Sequence, residues 1–533
     1  MPVVDIRSPN LSRSIEFRRK LTRSEGGIVV AQNRLAAHIG TEVLRAGGTA
    51  VDAALAASFA IGVLEPWMSG IGGVGAMLVR SPDGAVIAID AGARSPRGLD
   101  PAEFPLVEGR DGDLFGWPNV LEDRNVTGAR SVGVPGLVAG LAAAHRRFGR
   151  MPWRDLVLPA ATIAAEGPIV DHHTMLWIAQ EMSRIRRDPA CRDRFLPGGL
   201  PPSAPAAVSG KVARLPTPAL AETLRLLAEA GPDAFYRGDL GRALAEDVRT
   251  AGGWLSMEDL AAFTAVVEPA ATEPYRGHSL HFVPALNGGV TVAMMMREYA
   301  HAFTPTASAP DRASFLAAAE AMAKAWTYRF EKLGDGAERT LPSCTTHLSV
   351  VDRDGTCVAL TQTLLSAFGS AMVSPRTGIL LNNGINWFDP RPGRVNSIAP
   401  DKKALANYSP MVMTGPGDDV VAIGGSGGRK ILPAVFQALS FIADSDWPLD
   451  AAIAAPRIDS SAPPTIVADA RLPADVVAAL GERWPTVLAE RIGHPAHFTN
   501  LGAVRRRGGV NEGFVEPYHA WADAVAEGDA LFA

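Results

Sequence analysis

The chain has 533 residues, enough for several ordinary domains or for one large layered unit. Its 47% hydrophobic and 20% charged content is that of a folded globular protein, and a net charge of −5 leaves no basic field to hold nucleic acid. Three cysteines (Cys191, Cys344 and Cys357) are too few and too scattered for a disulfide framework or a zinc site, so neither metal nor cofactor is expected.

In chain order, residues 1–9 are polar and charged, with no apolar core of a signal peptide, and no apolar run reaches the ~20 residues a bilayer demands. A cytoplasmic chain with no membrane partner is the expectation. Residues 28–39 read as a short strand running into a helix. Residues 41–64, rich in alanine and apolar on all sides, read as one buried helix. It ends at Glu65-Pro66. Small residues then crowd Ser69, Gly70, Gly72 and Gly73, where backbone must approach backbone or ligand. Residues 75–80 and 85–90 form a hairpin about Pro82-Asp83-Gly84.

From 134 to about 330 the spacing is mainly helical: 137–148, 153–166, 218–230 and 313–333. Thr217 is the expected N-cap of the third, with Pro218 in its first turn, and Ser256 the expected N-cap of a short helix. Past Thr345 the texture changes. Residues 347–352 and 357–363 flank a second hairpin at Arg353-Asp354-Gly355, 378–381 and 420–423 read as strands, and 431–442 and 449–455 as helices. Hairpins following a long helical stretch suit sheets sandwiched between helix layers.

Taken alone, Ser343-Cys344-Thr345-Thr346-His347 is only two threonines and a histidine opening a strand, where threonine is favoured anyway. Its neighbours change the reading. Residues 345–355, Ala359-Leu360-Thr361-Gln362-Thr363, Phe368-Gly369-Ser370, residues 377–383, Ser409-Pro410 and the glycine-rich 424–428 stand in the order and spacing of the small-subunit start of γ-glutamyltransferases. Upstream, residues 47–54, Glu65-Pro66 with 69–73, Gly133-Val134-Pro135-Gly136 and Phe235-Tyr236-Arg237-Gly238 match the same family. The chain resembles that family from about residue 28 to about 460, in order.

The resemblance implies an α+β fold, the αββα sandwich of N-terminal nucleophile hydrolases. It further implies a precursor that cuts itself between Cys344 and Thr345 into a large subunit, 1–344, and a small subunit, 345–533. Thr345 would be the nucleophile and its freed α-amino group the base, since a hydroxyl is a poor nucleophile until a base takes its proton. Thr363 would hydrogen-bond the nucleophile, and Gly427 and Gly428 would present N–H groups to the oxyanion. The two fragments would form a heterodimer, with a dimer of heterodimers as the further assembly to look for.

The glutamate-binding pattern is broken. In Asp90-Ala91-Gly92-Ala93-Arg94-Ser95-Pro96, Gly92 stands where the family's carboxylate-binding arginine belongs, with Arg94 two residues on as a substitute. Asn386 and Trp387 follow Asn382-Asn383 where an acidic residue should hold the α-ammonium. Leu365 replaces an asparagine, and Ala406-Asn407 a serine pair. A desolvated ammonium needs a carboxylate, and Trp387 offers an apolar face and one N–H. Residues 382–393 look instead like the oxamate amidohydrolase branch. Arg94, Asn386, Trp387 and Asn407 are the candidate substrate contacts, with Arg429 or Lys430 as further anion partners. The expected activity is hydrolysis of a small carboxylate-bearing amide through an acyl-Thr345 ester. The alternatives are a γ-glutamyltransferase or glutathione hydrolase, a cephalosporin or glutaryl acylase, and an inactive paralogue serving as a binding protein.

Overall fold

In the computed structural model the described residues are 3–12, 14, 16–110, 117–203, 210–306, 309–333, 344–492 and 497–532. Two seven-stranded antiparallel sheets dominate. The first runs Asp523–Ala526, Ile28–Ala31, Cys344–Val351, Cys357–Leu365, Val74–Arg80, Val86–Ala91, Val266–Pro269. The second runs Thr22–Ser24, Val510–Val515, Asn500–Arg507, Val420–Ser426, Met411–Thr414, His278–Phe282, Ala271–Tyr275. A four-stranded sheet, Val4–Asp5, Thr486–Ala489, Thr465–Asp469, Ile458–Ala462, flanks them.

The period-two alternation of strands sorts side chains into three apolar layers. Val29, Ala31, Met77, Val79, Leu348 and Val350 face outward into a helix layer that includes Ala50–Leu64, Leu137–Phe148 and Trp153–Glu166. Ile28, Val30, Ala76, Leu78, Ala359, Val412, Ala422 and Val504 face inward and fill the space between the sheets. Met413, Val421, Ile423 and Ala503 face the opposite helix layer, which includes Gly288–Ala302, Arg312–Tyr328 and Ile431–Ser445. The architecture is the expected α+β, αββα sandwich. Strands buried on both faces explain why the strand Cys357–Leu365 is buried along its whole length.

Several local readings are corrected. The single helix expected over 41–64 is two, Arg34–Arg45 and Ala50–Leu64, broken at Gly47 (φ 89°) and restarted by a Thr49–Asp52 capping box. Thr217 precedes the helix Pro218–Ala230 without capping it, because its hydroxyl donates to the Ala164 carbonyl instead. Ser256 does cap, in a box with Asp259. The helix expected to reach 333 ends at Tyr328 and continues as one π-turn, Arg329–Leu333. Residues 378–381 form no strand of their own, only isolated bridges from Leu380 to Val373 and from Leu381 to Gly72. Three strands between Val266 and Phe282 lie inside the stretch read as helical.

Candidate active site

Thr345 lies at an irregularity. Cys344 pairs with Leu365 but Thr346 pairs with Gln362, so the ladder shifts at the peptide expected to break. The structure is that of the uncut chain, in which the Thr345 nitrogen is an amide. Thr345 is 4% exposed, and its hydroxyl donates to Thr363 Oγ1 at 3.4 Å, the long limit of a hydrogen bond. Thr363 Oγ1 also accepts the Leu365 N–H at 2.8 Å. Beyond that threonine the chain is strained: Leu365, Phe368 and Ala371 all have left-handed φ, 88°, 59° and 54°. Gly73 abuts the same strand so closely that a Cβ there would come within 2.4 Å of the Thr363 carbonyl oxygen.

The inter-sheet register brings the glycine turn to the threonine. Ser349 donates to the Ala422 carbonyl (3.1 Å), and the ring of His347 lies against Gly424, where a Cβ would sit 2.5 Å from it. From these contacts one strand runs on to Thr345 and the other to the Gly427–Gly428 turn, so both lie toward the same end of the sandwich. Gly424, Gly425 and Ser426 belong to the strand, so the turn proper starts at Gly427, whose φ of 135° demands glycine. Gly428–Lys430 is a 3₁₀ turn leading into the helix Ile431–Ser445. A strand–turn–helix of this kind points N–H groups and a positive helix end at the same spot.

His347 is a spacer here. Its Nδ1 lies 2.8 Å from the Thr361 hydroxyl and its Nε2 2.8 Å from that of Ser349. Because the Ser349 proton goes to Ala422, His347 Nε2–H donates to Ser349, and Nδ1 accepts from Thr361. Burial pushes its pKa down to about 3, so the ring is neutral.

Three of the matched segments converge on Asn382, whose amide donates to the Gly72 and Gly133 carbonyls (2.8 and 3.0 Å). Asn383 clasps Ser366, donating to its hydroxyl at 2.8 Å and accepting from its N–H at 3.1 Å. Asn386 is fully buried, its amide 3.4 Å from the same hydroxyl. Its carbonyl accepts from Trp117 Nε1 at 3.1 Å. The Arg429 guanidinium lies 5.9 Å from the Trp117 ring and 5.0 Å from that of Phe330. Contacts thus link Thr345 to Thr363, and, from Ser366 next to Leu365, run through Asn386 and Trp117 to Arg429.

Asn407 is drawn in from the other side. Its Oδ1 accepts from Arg329 Nη2 (2.8 Å), and Arg329 also donates to the Ala406 carbonyl (2.8 Å) and the Thr291 hydroxyl (3.1 Å). These partners are all neutral. Burial, and then the charge of Arg429, push the Arg329 pKa down to about 9, while burial takes Arg429 to about 10. Two guanidinium groups share one desolvated region. Lys430 is drawn the other way, toward the charge of Asp459, and burial lowers its pKa.

Arg94 stands apart. Its guanidinium is held by Asp401, at 2.8 Å from the carbonyl and 2.9 Å from the carboxylate, on a half-exposed surface. It does not join the Thr345 group as the sequence suggested, because its backbone is bridged to Val134 and Lys403 and turns the side chain to Asp401. At Gly92 itself a Cβ would meet the Tyr408 hydroxyl at 2.6 Å, so Tyr408, its ring tilted against that of Trp387 at 5.3 Å, fills the room of the missing arginine. Arg329, Trp117, Ser366 and Tyr408 were not legible as site residues. Arg329 is one of several charged residues in the stretch 312–333, so its burial had no local signal.

The chain matches the profile of the family described as Gamma-glutamyltranspeptidase, over residues 36–344 and 338–533. It is 32% identical over 467 residues to "Glutathione hydrolase 3" of Arabidopsis thaliana, covering 78% of this chain and 70% of that one. It is 31% identical over 483 residues to "Acylase ACY 1 proenzyme" of Pseudomonas sp. (strain SE83), covering 83% of each. Among solved structures, the cephalosporin acylase from Bacillus halodurans superimposes with a TM-score of 0.81 at 25% identity, covering 98% of this chain and 99% of that one. The chain belongs to the gamma-glutamyltranspeptidase family and is an amide-bond hydrolase of the N-terminal nucleophile class. Among the described residues, no helix is long and apolar enough to cross a membrane.

Proposed function

With that membership as premise, we propose that the chain cuts itself before Thr345 and that the freed threonine hydrolyses a small, carboxylate-bearing amide such as oxamate. In the precursor the Thr345 hydroxyl attacks the Cys344 carbonyl. The peptide becomes an ester, and water splits it into 1–344 and 345–533. The new α-amino group, with an ordinary pKa near ~8, then serves as the base for its own hydroxyl. In each turnover the hydroxyl attacks the substrate carbonyl, the N–H groups of Gly427 and Gly428 take up the oxyanion, and ammonia leaves. Water then releases the acid from the acyl-Thr345 ester. The fragments stay together because the strand Cys344–Val351 is hydrogen-bonded between Ile28–Ala31 and Cys357–Leu365.

The observation that carries the substrate class is the exchange of charges around the site. Tyr408 occupies the room at Gly92, Trp387 and Asn386 stand where an acid is required, and the nearby carboxylates Asp90 and Asp389 are already paired with Lys403 and Arg391, which argues against an α-ammonium. Arg429 and Arg329, clustered beside the glycine turn, favour an anion over a zwitterionic head group. The likeness to the cephalosporin acylase supports a second reading, a cephalosporin or glutaryl acylase. The test is a substrate panel: oxamate, a glutaryl amide and γ-glutamyl-p-nitroanilide, each with the purified protein and with Thr345→Ala. Ammonia from oxamate, with no glutamyl turnover, is expected. Efficient glutamyl turnover would overturn the specificity argument, and no turnover of any amide by cleaved protein would leave a binding role.

A further inference from the structure

On the helix side of the first sheet lies a cavity of about 360 Å3 whose lining includes Glu65, Trp67, Asp171, His173, Arg214 and Trp521. Its size is in the lower range of small-molecule pockets. Its aromatic wall is continuous: the Trp67 and His173 rings meet edge-on at 5.7 Å, and His173 packs 3.8 Å from Trp521. The indole N–H of Trp521 is tied to Asp171, whereas that of Trp67 has no hydrogen-bond partner.

Beneath this wall is Glu65, 1% exposed, whose carboxylate makes no hydrogen bond of good geometry and has the Asn33 side chain as a weak polar neighbour. A buried carboxylate so weakly partnered is costly, and this one caps the C-terminus of the helix Ala50–Leu64, where the dipole is already negative. Burial pushes its pKa up to about 8; the charge of Asp171 adds to the rise and the Asn33 side chain offsets part of it. Of the other charged groups lining the cavity, Glu166 and Arg214 answer each other at 4.0 Å, and Arg214 is further held by the Gly167 carbonyl. With Glu65 ionised, the balance facing the cavity is negative, against an aromatic surface.

We propose that this cavity binds a small organic ammonium ion, its charge over the acidic floor of Glu65 and Asp171 and its apolar body against Trp67, His173 and Trp521. The proposal does not depend on the substrate reading, since Thr345 is not among the residues lining the cavity. Binding draws a proton off Glu65, because a cation stabilises the ionised carboxylate.

The test titrates the purified full chain with 2-phenylethylammonium at pH 7.5 by calorimetry in two buffers of different ionisation enthalpy, with 2-phenylethanol as the neutral isostere. Saturable binding, with a proton released to buffer, is expected. The alcohol should bind about tenfold or more weakly, since a cation–π contact alone accounts for roughly that factor. Glu65→Gln should weaken the amine about tenfold and abolish the proton release. Trp521→Leu, which leaves Glu65 in place, should weaken it comparably and keep the release. Absence of amine binding at millimolar concentration, equal binding of amine and alcohol, or unchanged affinity in both variants would overturn the proposal.

Discussion

Gly424→Ala should uncouple folding from self-processing. The added Cβ would lie 2.5 Å from His347 Cε1 and Nδ1, against 3.4 Å for an ordinary contact, so the two sheets must part by nearly an ångström or the ring must leave its partners. Overpacking of this kind costs about 1–3 kcal/mol. Releasing the buried ring from Thr361 and Ser349 would cost a similar ~1–3 kcal/mol. The displacement falls between the strand carrying Thr345 and the strand leading to Gly427–Gly428, and a misplacement of about 1 Å typically costs ~100-fold in rate. The assay follows conversion of freshly purified precursor on denaturing gels, with denaturant melts in parallel. Cleavage should slow by ~100-fold while the protein stays folded. Gly424→Ala with His347→Ala removes the clash and should recover at least ~1 kcal/mol over the sum of the two single changes. Wild-type cleavage within twofold, or strict additivity, would refute the idea that His347 sets the sheet spacing at the site.

Thr363→Val keeps the strand but removes the oxygen 3.4 Å from the Thr345 hydroxyl, and should lower kcat by ~10–100-fold with KM little changed, read by ammonia release. Arg429→Met should cut kcat/KM for oxamate by ~100-fold while leaving a neutral amide within threefold, because only the anion loses a charge partner. Glu65 keeps its proton to about pH 8 in the folded chain and only to 4.5, its ordinary value, when unfolded. The unfolded state thus loses a proton first, and stability falls by a few kcal/mol as pH rises from 4.5 to about 8, then levels. Glu65→Gln should flatten that slope in melts across pH 4–9; an unchanged slope would mean that Glu65 is ionised when folded.

The sandwich was legible because alternation such as Leu348/Val350 against His347/Ser349 survives on strands that face two different layers. What the sequence concealed follows from context. The strands Val266–Pro269 and Ala271–Tyr275 are exposed edge segments carrying Pro269, Pro274 and acidic residues, so no apolar period marks them. Gly47-Gly48 was readable as a tolerated pair inside an apolar helix, yet left-handed φ at Gly47 ends it. The nucleophile and its glycine turn were legible only through an ordered set of matches. Their approach depends on the packing of His347 on Gly424, a contact 77 residues apart that no local pattern encodes. Arg94 misled because spacing along an extended segment says nothing of Asp401, which holds it. Arg329 lay hidden in a helix whose end, a π-turn, redirects its side chain toward Asn407.

The most direct test is the identity of the chain ends after expression, by intact mass and N-terminal sequencing of the wild type and of Thr345→Ala. Two fragments are expected from the wild type, the smaller opening on Thr345-Thr346-His347-Leu348, and a single uncut chain from the variant. A wild-type chain that stays whole, or a variant cut at the same bond, would contradict the claim that Thr345 makes itself the nucleophile.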